Sequence, residues 1–216
     1  SIPVTTTLMG KGIFNENHKL ALGMLGMHGT AYANFAVSEC DLLIAVGMRF
    51  DDRVTGDLKT YAKQAKVIHL ELDPAEVNKN VKADVTLLCD CKISLQALTN
   101  KISTKKYPMW IKRFDDLDTI EKEKVIHGDL NPTKPGLTMG ESIEMINKHS
   151  DGDAIIVTDV GQHQMVACRY AKFNQSKSNV TSGGLGTMGF ALPAAIGAKM
   201  GAPKREVVAV IGDGGF

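Results

Sequence analysis

Residues 207–211 form a continuous apolar and β-branched run that leads directly into Gly212-Asp213-Gly214-Gly215. Such a run is typical of a buried strand in a parallel sheet. Open α/β sheets bind ligands outside the carboxyl ends of their strands, so these glycines stand where a ligand is expected. Glycine lets a backbone approach a phosphate closely, and a carboxylate can bind a hard cation such as Mg²⁺. The segment therefore predicts either a metal–diphosphate site or a tight turn after a core strand.

Strands and helices alternate over residues 1–104, and this alternation favours a doubly wound α/β unit with a mainly parallel sheet. Buried strands are expected at residues 41–47 and 67–73, with shorter strands at 4–8 and 85–89. We predict that residues 13–22 are irregular and that the glycines and methionines of 23–29 form a loop that passes close to a ligand. Thr30 is expected to cap the helix that follows.

Charged residues come directly after the first of the two longer strands. These residues are Arg49, Asp51, Asp52 and Arg53. They either bind a ligand or pair with one another at the surface. Their position at the carboxyl end of a strand favours ligand binding. Glu71 lies near the end of the next strand, where an acidic residue binds ribose hydroxyls in nucleotide folds.

Residues 73–76 follow that strand and read as a capping box at the start of a helix, with Pro74 at its first position. The pattern assigns Asp73 a structural role as the helix cap. It leaves Glu71 as the better candidate for ribose binding.

Residues 105–136 differ from the flanking segments, because they are charged and bounded by prolines. We interpret them as a linker that contains an exposed helix with Trp110, Phe114 and Leu117. A second doubly wound unit is expected at residues 137–216, where it would form the truncated N-terminal part of a domain. Its helix begins after Thr138, and a buried strand at 154–158 follows.

Two more candidate ligand loops precede the final strand. Gly161, Gln162 and His163 open a helix, and a helix N-terminus binds anions, although His163 could equally satisfy its own helix start. Four glycines surround Met188, so backbone could wrap a ligand while Met188 supplies an apolar support. One glycine loop indicates little, but three such loops around one sheet indicate a site much more strongly.

Composition excludes several classes of protein. The formal net charge is +1 and the basic residues are scattered, so no field recruits nucleic acid. No apolar run approaches the length of a membrane helix, and no secretory signal is recognisable. The four cysteines do not form a metal-ligand pattern and are expected to be reduced thiols. Both ends of the chain predict an internal fragment of a longer protein.

Five segments occur together in one order: MLGMHGTAYAN, GMRFDDRVTG, DVGQHQM, SGGLGTMGFALPAAIGA and IGDGGF. In this combination the chain resembles the large catalytic subunit of acetohydroxyacid synthase, also called acetolactate synthase. GDG alone would indicate only the wider thiamine-diphosphate superfamily, whereas MLGMHG with RFDDRVTG is far more specific. The likeness extends over essentially the whole chain and is weakest in the linker.

The resemblance implies that residues 1–104 form the family's central domain, which carries FAD in a structural role. The residues implied to bind FAD are Thr7, Leu8, Met9, Leu25, Gly26, Met27, His28, Gly47, Met48, Arg49, Phe50, Asp51, Arg53, Val54, Glu71, Leu72, Asp90 and Cys91. Glu71 stands at the family's acidic ribose position. Met27, Asp52 and Arg53 also fall where the family's substrate channel and herbicide pocket lie.

The resemblance likewise implies that residues 137–216 belong to the domain that binds thiamine diphosphate and Mg²⁺. The implied cofactor-binding residues are Val160, Gly161, Gln162, His163, Gly186, Thr187, Met188, Gly212, Asp213, Gly214 and Gly215. Asp213 would ligate Mg²⁺. Met188, Gln162 and Arg53 would be catalytic, with Met188 as the wedge behind a bent cofactor and Arg53 at the second substrate's carboxylate.

The implied activity is decarboxylation of pyruvate and transfer of the hydroxyethyl unit to pyruvate or 2-oxobutyrate, early in branched-chain amino-acid synthesis. In the family, the activating glutamate comes from an N-terminal domain of the neighbouring subunit, and further Mg²⁺ ligands follow GDG. Neither lies in these residues, so we expect a homodimer or higher oligomer and no turnover from the fragment alone.

The resemblance leaves open a regulatory small subunit, and it leaves open a bacterial cytoplasm or a eukaryotic plastid or other organelle as the location. Alternatives are an FAD-linked pyruvate oxidase, a glyoxylate carboligase, or a fragment that binds nucleotide without catalysis. The pair MLGMHG and RFDDRVTG argues against the first two.

Overall fold

The computed structural model describes residues 1–216 and contains three sheets whose paired strands are all parallel. Their orders are β1-β2, β3-β4-β5 and β7-β6-β8. The strands are β1 Val4–Thr6, β2 Ala21–Met24, β3 Leu42–Val46, β4 Lys66–Glu71, β5 Val85–Leu88, β6 Ile155–Thr158, β7 Asn179–Thr181 and β8 Val207–Val210. The predicted α/β class with parallel sheets is confirmed.

α-Helices lie in most of the connections between strands, whereas β1–β2 and β4–β5 are joined without one. The helices are α1 Ala31–Glu39, α2 Asp52–Thr55, α3 Cys91–Thr99, α4 Pro108–Glu121, α5 His127–Leu130, α6 Met139–Ser150, α7 Gln162–Tyr170 and α8 Ala191–Gly201. Short 3₁₀ turns occupy Leu8–Gly10, Gly183–Leu185 and Asp213–Gly215, and a π-helix occupies Lys122–Ile126. None of the helices has the length and apolar character needed to cross a membrane.

Several helix starts agree with their sequence signals. Thr30 caps α1 by accepting from Ala33 N. Thr138 and Glu141 form a complete capping box at α6, with Thr138 Oγ1 accepting from Glu141 N at 3.0 Å. A capping box binds two helix N–H groups that would otherwise lack partners, so it fixes where α6 begins.

The helix expected after Asp73 does not form. Asp73 Oδ1 accepts from Ala75 N at 2.8 Å, but the chain then makes only turns. Asn78 adopts a left-handed conformation, with φ of 58°, and its side chain accepts from Ala83 N. This left-handed residue turns the backbone out of a helical path before a helix is established.

Two strands were missed by the sequence prediction. β2 falls within the segments expected to be irregular or looped, and β7 precedes the second glycine loop. Both are three or four residues long and contain glycine, methionine or asparagine. Their pairing with β1 and β6 therefore decides their conformation, rather than strong local preference.

The burial of β3 differs from the expectation, whereas that of β6 agrees with it. β3 was predicted to be buried on both faces, yet Leu42, Ile44 and Val46 are 45%, 36% and 40% exposed, while Ala45 is buried. Alternate residues of a strand point to opposite faces, so one face of β3 is covered and the other is open. β6 is the fully buried strand, because packed side chains cover both of its faces.

The linker helix contributes to the core of the first unit. Phe114 of α4 is only 4% exposed and packs with Leu22 and Val37. Trp110 contacts Phe114 edge-on at a centroid distance of 4.7 Å. The expected helix is present, but its expected exposure was wrong, because Trp110, Phe114 and Leu117 share one helix face that packs against α1.

The two units contact each other through polar groups. Lys11 Nζ lies 3.0 Å from Glu16 Oε2 in a pair that is almost fully buried. Glu16 N donates to Phe173 O at 3.1 Å, and Glu16 Oε2 accepts from Phe173 N. Lys11 Nζ also lies 5.4 Å from the Phe173 ring centroid. Residues 11–16 of the first unit are thereby bound to the second unit.

All four cysteines are unpaired, as the sequence predicted. Cys168 on α7 is buried, and burial raises the pKa of its thiol to about 11. A thiol in this state is neutral at ordinary pH and inert as a nucleophile.

We predict that Phe114→Ala lowers the free energy of unfolding by about 3–5 kcal/mol, because it removes a buried aromatic side chain from the core. Ile120→Ala is the matched control on the same helix, since Ile120 is 46% exposed. Chemical denaturation followed by circular dichroism measures both changes. Equal, small changes in the two variants would contradict the assignment of α4 to the core.

Candidate functional site

Three loops meet at the carboxyl edge of the β7-β6-β8 sheet in the second unit. β6 lies between β7 and β8, so the segments that follow these strands emerge side by side. They are residues 159–163, 182–190 and 212–215. The sequence predicted ligand-binding residues in each of the three segments, and the structure brings these segments together.

Glycines allow the three loops to contact one another. A Cβ on Gly214 would lie 2.6 Å from Met188 Cε, and a Cβ on Gly212 would lie 2.9 Å from His163 Cε1. A Cβ on Gly215 would overlap the carboxylate of Asp159. A Cβ at any of these positions would require the neighbouring side chain to move, and the buried Asp159 has the least room to do so.

Asp159 is a site residue that the sequence prediction missed. It follows β6 directly and is 1% exposed. Its Oδ1 accepts from the backbone N–H of Ala191 at the start of α8, and its Oδ2 is buried with no hydrogen-bond partner. An aspartate directly after a fully apolar strand was the available signal, because a buried carboxylate requires compensating donors.

His163 presents a second buried atom without a partner. It lies in the first turn of α7, and its Nε2 forms no hydrogen bond. The alternative that His163 satisfies its own helix start is therefore not supported. The first turn of a helix also leaves backbone N–H groups unpaired. Buried Nε2 and the N-terminus of α7 together form an environment suited to an anion.

Gln162 and Gln164, on either side of His163, differ in their surroundings. Gln162 is exposed at the first position of α7, whereas Gln164 donates to Thr181 Oγ1 at 2.9 Å. That bond joins α7 to β7. Gln162 remains free to contact a ligand, and Gln164 has a structural role.

Asp213 lies exposed at the end of β8. Its Oδ1 accepts from Gly214 N at 2.9 Å, and this carboxylate makes no other hydrogen bond within the chain. The chain contains no cluster of three or more histidine, cysteine or acidic side chains arranged to hold a metal ion. Within these residues, Asp213 alone offers an exposed carboxylate at the end of β8. It can supply one oxygen ligand, which is the type that Mg²⁺ prefers.

Met188 and the loop around it are held by backbone contacts. Thr187 N donates to Ser182 Oγ at 2.9 Å, and Gly186 has φ of 60°, a conformation that favours glycine. Met188 is exposed, apart from its methyl group near Gly214. An exposed thioether at a strand edge offers an apolar surface to a flat ligand.

The first unit has a comparable edge where β3, β4 and β5 end. Gly47 has φ of 59°, and its N–H donates to Leu70 O at 2.8 Å. Asp90 Oδ1 accepts from Lys92 N and Ile93 N, and so caps α3. Burial, with the nearby carboxylates of Glu71 and Asp90, raises the pKa of the Cys91 thiol. Residues from all three strand ends are therefore neighbours.

Glu71 lies at this edge, but its carboxylate faces its own backbone. Oε1 accepts from Leu72 N at 2.8 Å and from Asp73 N at 3.0 Å, and Oε2 lies 3.7 Å from His69 Nε2. The structure thus gives Glu71 a turn-forming role beside the predicted ribose contact. Ribose binding by Glu71 stays a prediction.

The loop at residues 25–29 is tightly folded against α2. Met27 N donates to Arg53 O at 2.8 Å, and a Cβ on Gly26 would lie 2.6 Å from that oxygen. The Asn34 side chain accepts from Gly26 N and donates to Gly26 O. Met27 and His28 are exposed at the tip, and a Cβ on the preceding Gly26 would lie 3.1 Å from Val54 Cα of α2.

Two predicted cofactor residues, Leu25 and Phe50, have buried side chains. Leu25 belongs to the core beneath α1, and Phe50 packs edge-on against His69 at 5.0 Å. Phe50 has φ of 53°, which is unusual for a bulky residue. Any contact that these two residues make with a ligand must use their backbone atoms. The side chains of Thr7, Leu8 and Met48 are half-buried, and that of Leu72 is exposed.

The charged residues after β3 do pair with one another. Arg49 Nε lies 3.6 Å from Asp51 Oδ2, and Arg53 Nη1 lies 3.8 Å from Asp52 Oδ2. Both arginine side chains are largely exposed, so these pairs contribute little to stability. The two guanidinium groups therefore remain accessible to an anionic ligand.

Loops of the two units meet beside the second glycine loop. Arg49 Nη2 lies 3.1 Å from the position of a Cβ on Gly184, and Met9 Sδ lies 2.8 Å from the same position on Gly183. Asn179 Nδ2 donates to Leu8 O at 2.9 Å. Side chains predicted for the first site thus border the second.

Both units match one protein family. Residues 1–98 match the thiamine pyrophosphate enzyme central domain, and residues 159–216 match the C-terminal domain that binds thiamine pyrophosphate. The chain belongs to the thiamine pyrophosphate enzymes. Residues 99–158, which include the predicted linker, lie outside both matches.

Several relatives of this thiamine pyrophosphate enzyme carry the same name. It is 47% identical to the probable acetolactate synthase large subunit of Methanocaldococcus jannaschii, over 100% of this chain and 37% of the relative. The large subunit of Parasynechococcus marenigrum is 49% identical over 98% of this chain and 34% of its own length. Acetolactate synthase 1, chloroplastic, of Nicotiana tabacum is 44% identical over 100% of this chain and 32% of its own length. The chain thus spans about a third of these relatives.

We predict that Gly215→Ala destabilises this thiamine pyrophosphate enzyme by more than about 2 kcal/mol, because the added methyl group would overlap buried Asp159. Gly197→Ala on α8 is the control, since a Cβ there meets nothing within 4 Å. The control is expected to be neutral or stabilising by up to about 1 kcal/mol. Thermal unfolding without added ligand measures both, and a harmless Gly215→Ala would disprove the close packing.

Proposed function

We propose that this chain forms part of an acetolactate synthase that binds thiamine diphosphate, Mg²⁺ and FAD. Its substrates are pyruvate as donor and pyruvate or 2-oxobutyrate as acceptor. The observation that carries the proposal is the buried, unpartnered Nε2 of His163 within the glycine loops, together with the shared name of the relatives. Buried polar atoms normally have partners, so an unpartnered one among glycine loops suits a bound anion.

The diphosphate fits the loops after β6 and β8. Val160, Gly161 and His163 would bind it with Gly214 and Gly215, because glycine leaves room for phosphate oxygens beside the backbone. Asp213 would contribute one carboxylate oxygen to Mg²⁺, and its exposure leaves that oxygen accessible. Gly212 continues the same turn.

The ring systems of thiamine diphosphate fit the loop around Met188. Thiamine diphosphate supplies an electron sink for the two-carbon unit after CO₂ leaves. Met188, with Gly186 and Thr187, would support its rings, and Gln162 would contact it from the start of α7. These residues bind and orient the cofactor, so they act mainly by fixing its position.

FAD fits the first unit in part. Exposed Met9, Met27 and Leu72 provide apolar surface for flat rings, and Gly47 allows close approach of the backbone. Leu25 and Phe50 would contribute only backbone contacts. Asp51 and Asp90 each bind N–H groups of their own helix, so FAD contacts there would involve adjacent groups. The reaction has no net redox change, so the role proposed for FAD is structural.

Arg53 is proposed to bind the carboxylate of the acceptor. A guanidinium recognises a carboxylate with two parallel hydrogen bonds. Arg53 lies on α2, its backbone holds the loop at residues 25–29, and its only charged partner is exposed Asp52. The exchange of this weak surface pair for a bidentate contact requires little rearrangement.

The assembly and location are also proposals. The relatives are named as large subunits, and we extend this to a small-subunit partner for the present protein. We further propose a homodimer or higher oligomer. A tobacco relative is chloroplastic, which favours an organellar stroma if the source is a plant or alga and the cytoplasm if it is a bacterium.

We predict that the full-length protein converts pyruvate to acetolactate in the presence of thiamine diphosphate, Mg²⁺ and FAD. Asp213→Asn should lower kcat/KM by at least about a hundredfold and raise the Mg²⁺ concentration needed for half activity, because it removes an anionic ligand. Product analysis by mass spectrometry checks the reaction. Acetyl phosphate as product would instead support a pyruvate oxidase.

We predict that Arg53→Ala raises the KM for the acceptor 2-oxo acid by about tenfold or more, since a charge-assisted contact is lost. The ratio of acetohydroxybutyrate to acetolactate in mixed-substrate assays should change as well. Arg113→Ala, which removes an exposed arginine paired with Glu39, is the control. Unchanged acceptor kinetics in Arg53→Ala would refute the assignment.

A further inference from the structure

Glu121, the last residue of α4, is a buried charge that the proposed function does not use. It is 5% exposed, whereas the other charged residues of α4 are exposed or half-buried. The π-helix begins at the next residue. A π-turn is rare and frequently marks a functional position, so this end of the linker helix is unusual in two independent ways.

One oxygen of Glu121 binds the start of α1. Oε2 accepts from Ala31 N at 2.8 Å and weakly from Tyr32 N at 3.4 Å. These N–H groups lie in the first helical turn, where no intrahelical acceptor exists and a negative charge is favourable. They follow the loop at residues 25–29 directly, so Glu121 fixes the base of that loop.

The other oxygen of Glu121 binds the second unit. Oε1 accepts from Arg169 Nη2 at 2.5 Å, and Arg169 Nη1 donates to Gly29 O at 3.4 Å. Arg169 lies on α7, the helix whose first turn holds Gln162 and His163. One carboxylate and one guanidinium therefore connect the loop at residues 25–29 with the diphosphate helix.

An ion pair between a buried carboxylate and a partly buried guanidinium is a poor source of stability. Removal of two charges from water offsets much of their attraction, and apolar replacements are often equally stable. The pair is directional, however, and its geometry sets the separation of α1 and α7. Fixed separation is what two reacting groups held by different units require.

We propose that Glu121 is a positioning residue, which acts through Arg169 to hold the loop at residues 25–29 against α7, the helix proposed to bind the cofactor's diphosphate. The proposal rests on the function proposed above. Diphosphate binding depends on the second unit alone. The proposed contact of Arg53 with the acceptor depends on the relative position of both units.

The test compares Glu121→Gln, Arg169→Met and the double variant in the full-length protein. Glu121→Gln keeps an oxygen for Ala31 N but loses the charge that holds Arg169. We expect carboligation to slow by about tenfold to a hundredfold, the scale of a displacement near 1 Å. The thiamine diphosphate concentration for half-maximal activity should stay within about twofold, since that site lies in the second unit.

Arg169→Met leaves Glu121 buried without a cation, and it should be the least stable of the three variants. Adding Glu121→Gln should then restore part of its stability and slow its unfolding. Glu39→Gln is the matched control, because Glu39 forms a two-bonded pair with Arg113 between the same helices, α1 and α4, without contact to the second unit. It should leave carboligation unchanged.

Hydrogen–deuterium exchange without added cofactor gives a readout that is independent of activity. We expect faster exchange at residues 25–32 and 162–170 in Glu121→Gln and no change there in Glu39→Gln. Equal loss of cofactor affinity and carboligation, or unchanged exchange, would overturn the positioning role. Absence of acetolactate from the unmodified protein would refute the proposed function instead, while the exchange result would still report whether Glu121 couples the two units.

Discussion

The second unit depends on a single buried carboxylate at the end of its central strand. Asp159 follows β6, accepts from the N–H that begins α8, and lies against Gly215 of the turn after β8. It thereby connects three elements that are distant in sequence. Its unpartnered Oδ2 is costly to bury, and the cost is consistent with a site arranged for a ligand rather than for stability alone.

Parallel pairing makes this arrangement possible in both units. Each sheet directs the carboxyl ends of its strands to one edge, so loops from separate parts of the sequence become neighbours. Gly26, Gly212 and Gly215 then allow neighbouring segments to approach more closely than a side chain would permit. The site follows from topology first and from the chemistry of single residues second.

Local patterns sufficed where the side chains alone determine the structure. The apolar runs at β6 and β8, the start of α6 after Thr138 and the glycine loops were all recognisable from sequence. β2 and β7 were not, because short strands without strong preference form only when a partner strand is present. The sequence did not predict the burial of Phe114, the site role of Asp159 or the backbone contacts of Glu71. The surroundings of these residues depend on how the chain folds around them.

The contact between the units differs from their cores in kind. Apolar side chains fill the cores, whereas the units contact each other through the hydrogen bonds of Glu16, which pairs with Lys11, to Phe173 and through the Glu121–Arg169 ion pair. Apolar packing tolerates small shifts between surfaces. An ion pair with additional backbone hydrogen bonds is different, because a shift breaks the contacts that offset the cost of removing its charges from water. The polar contact therefore specifies one relative placement of the units. A reaction that joins a cofactor-bound fragment to an acceptor requires such a placement, because small displacements are costly in rate.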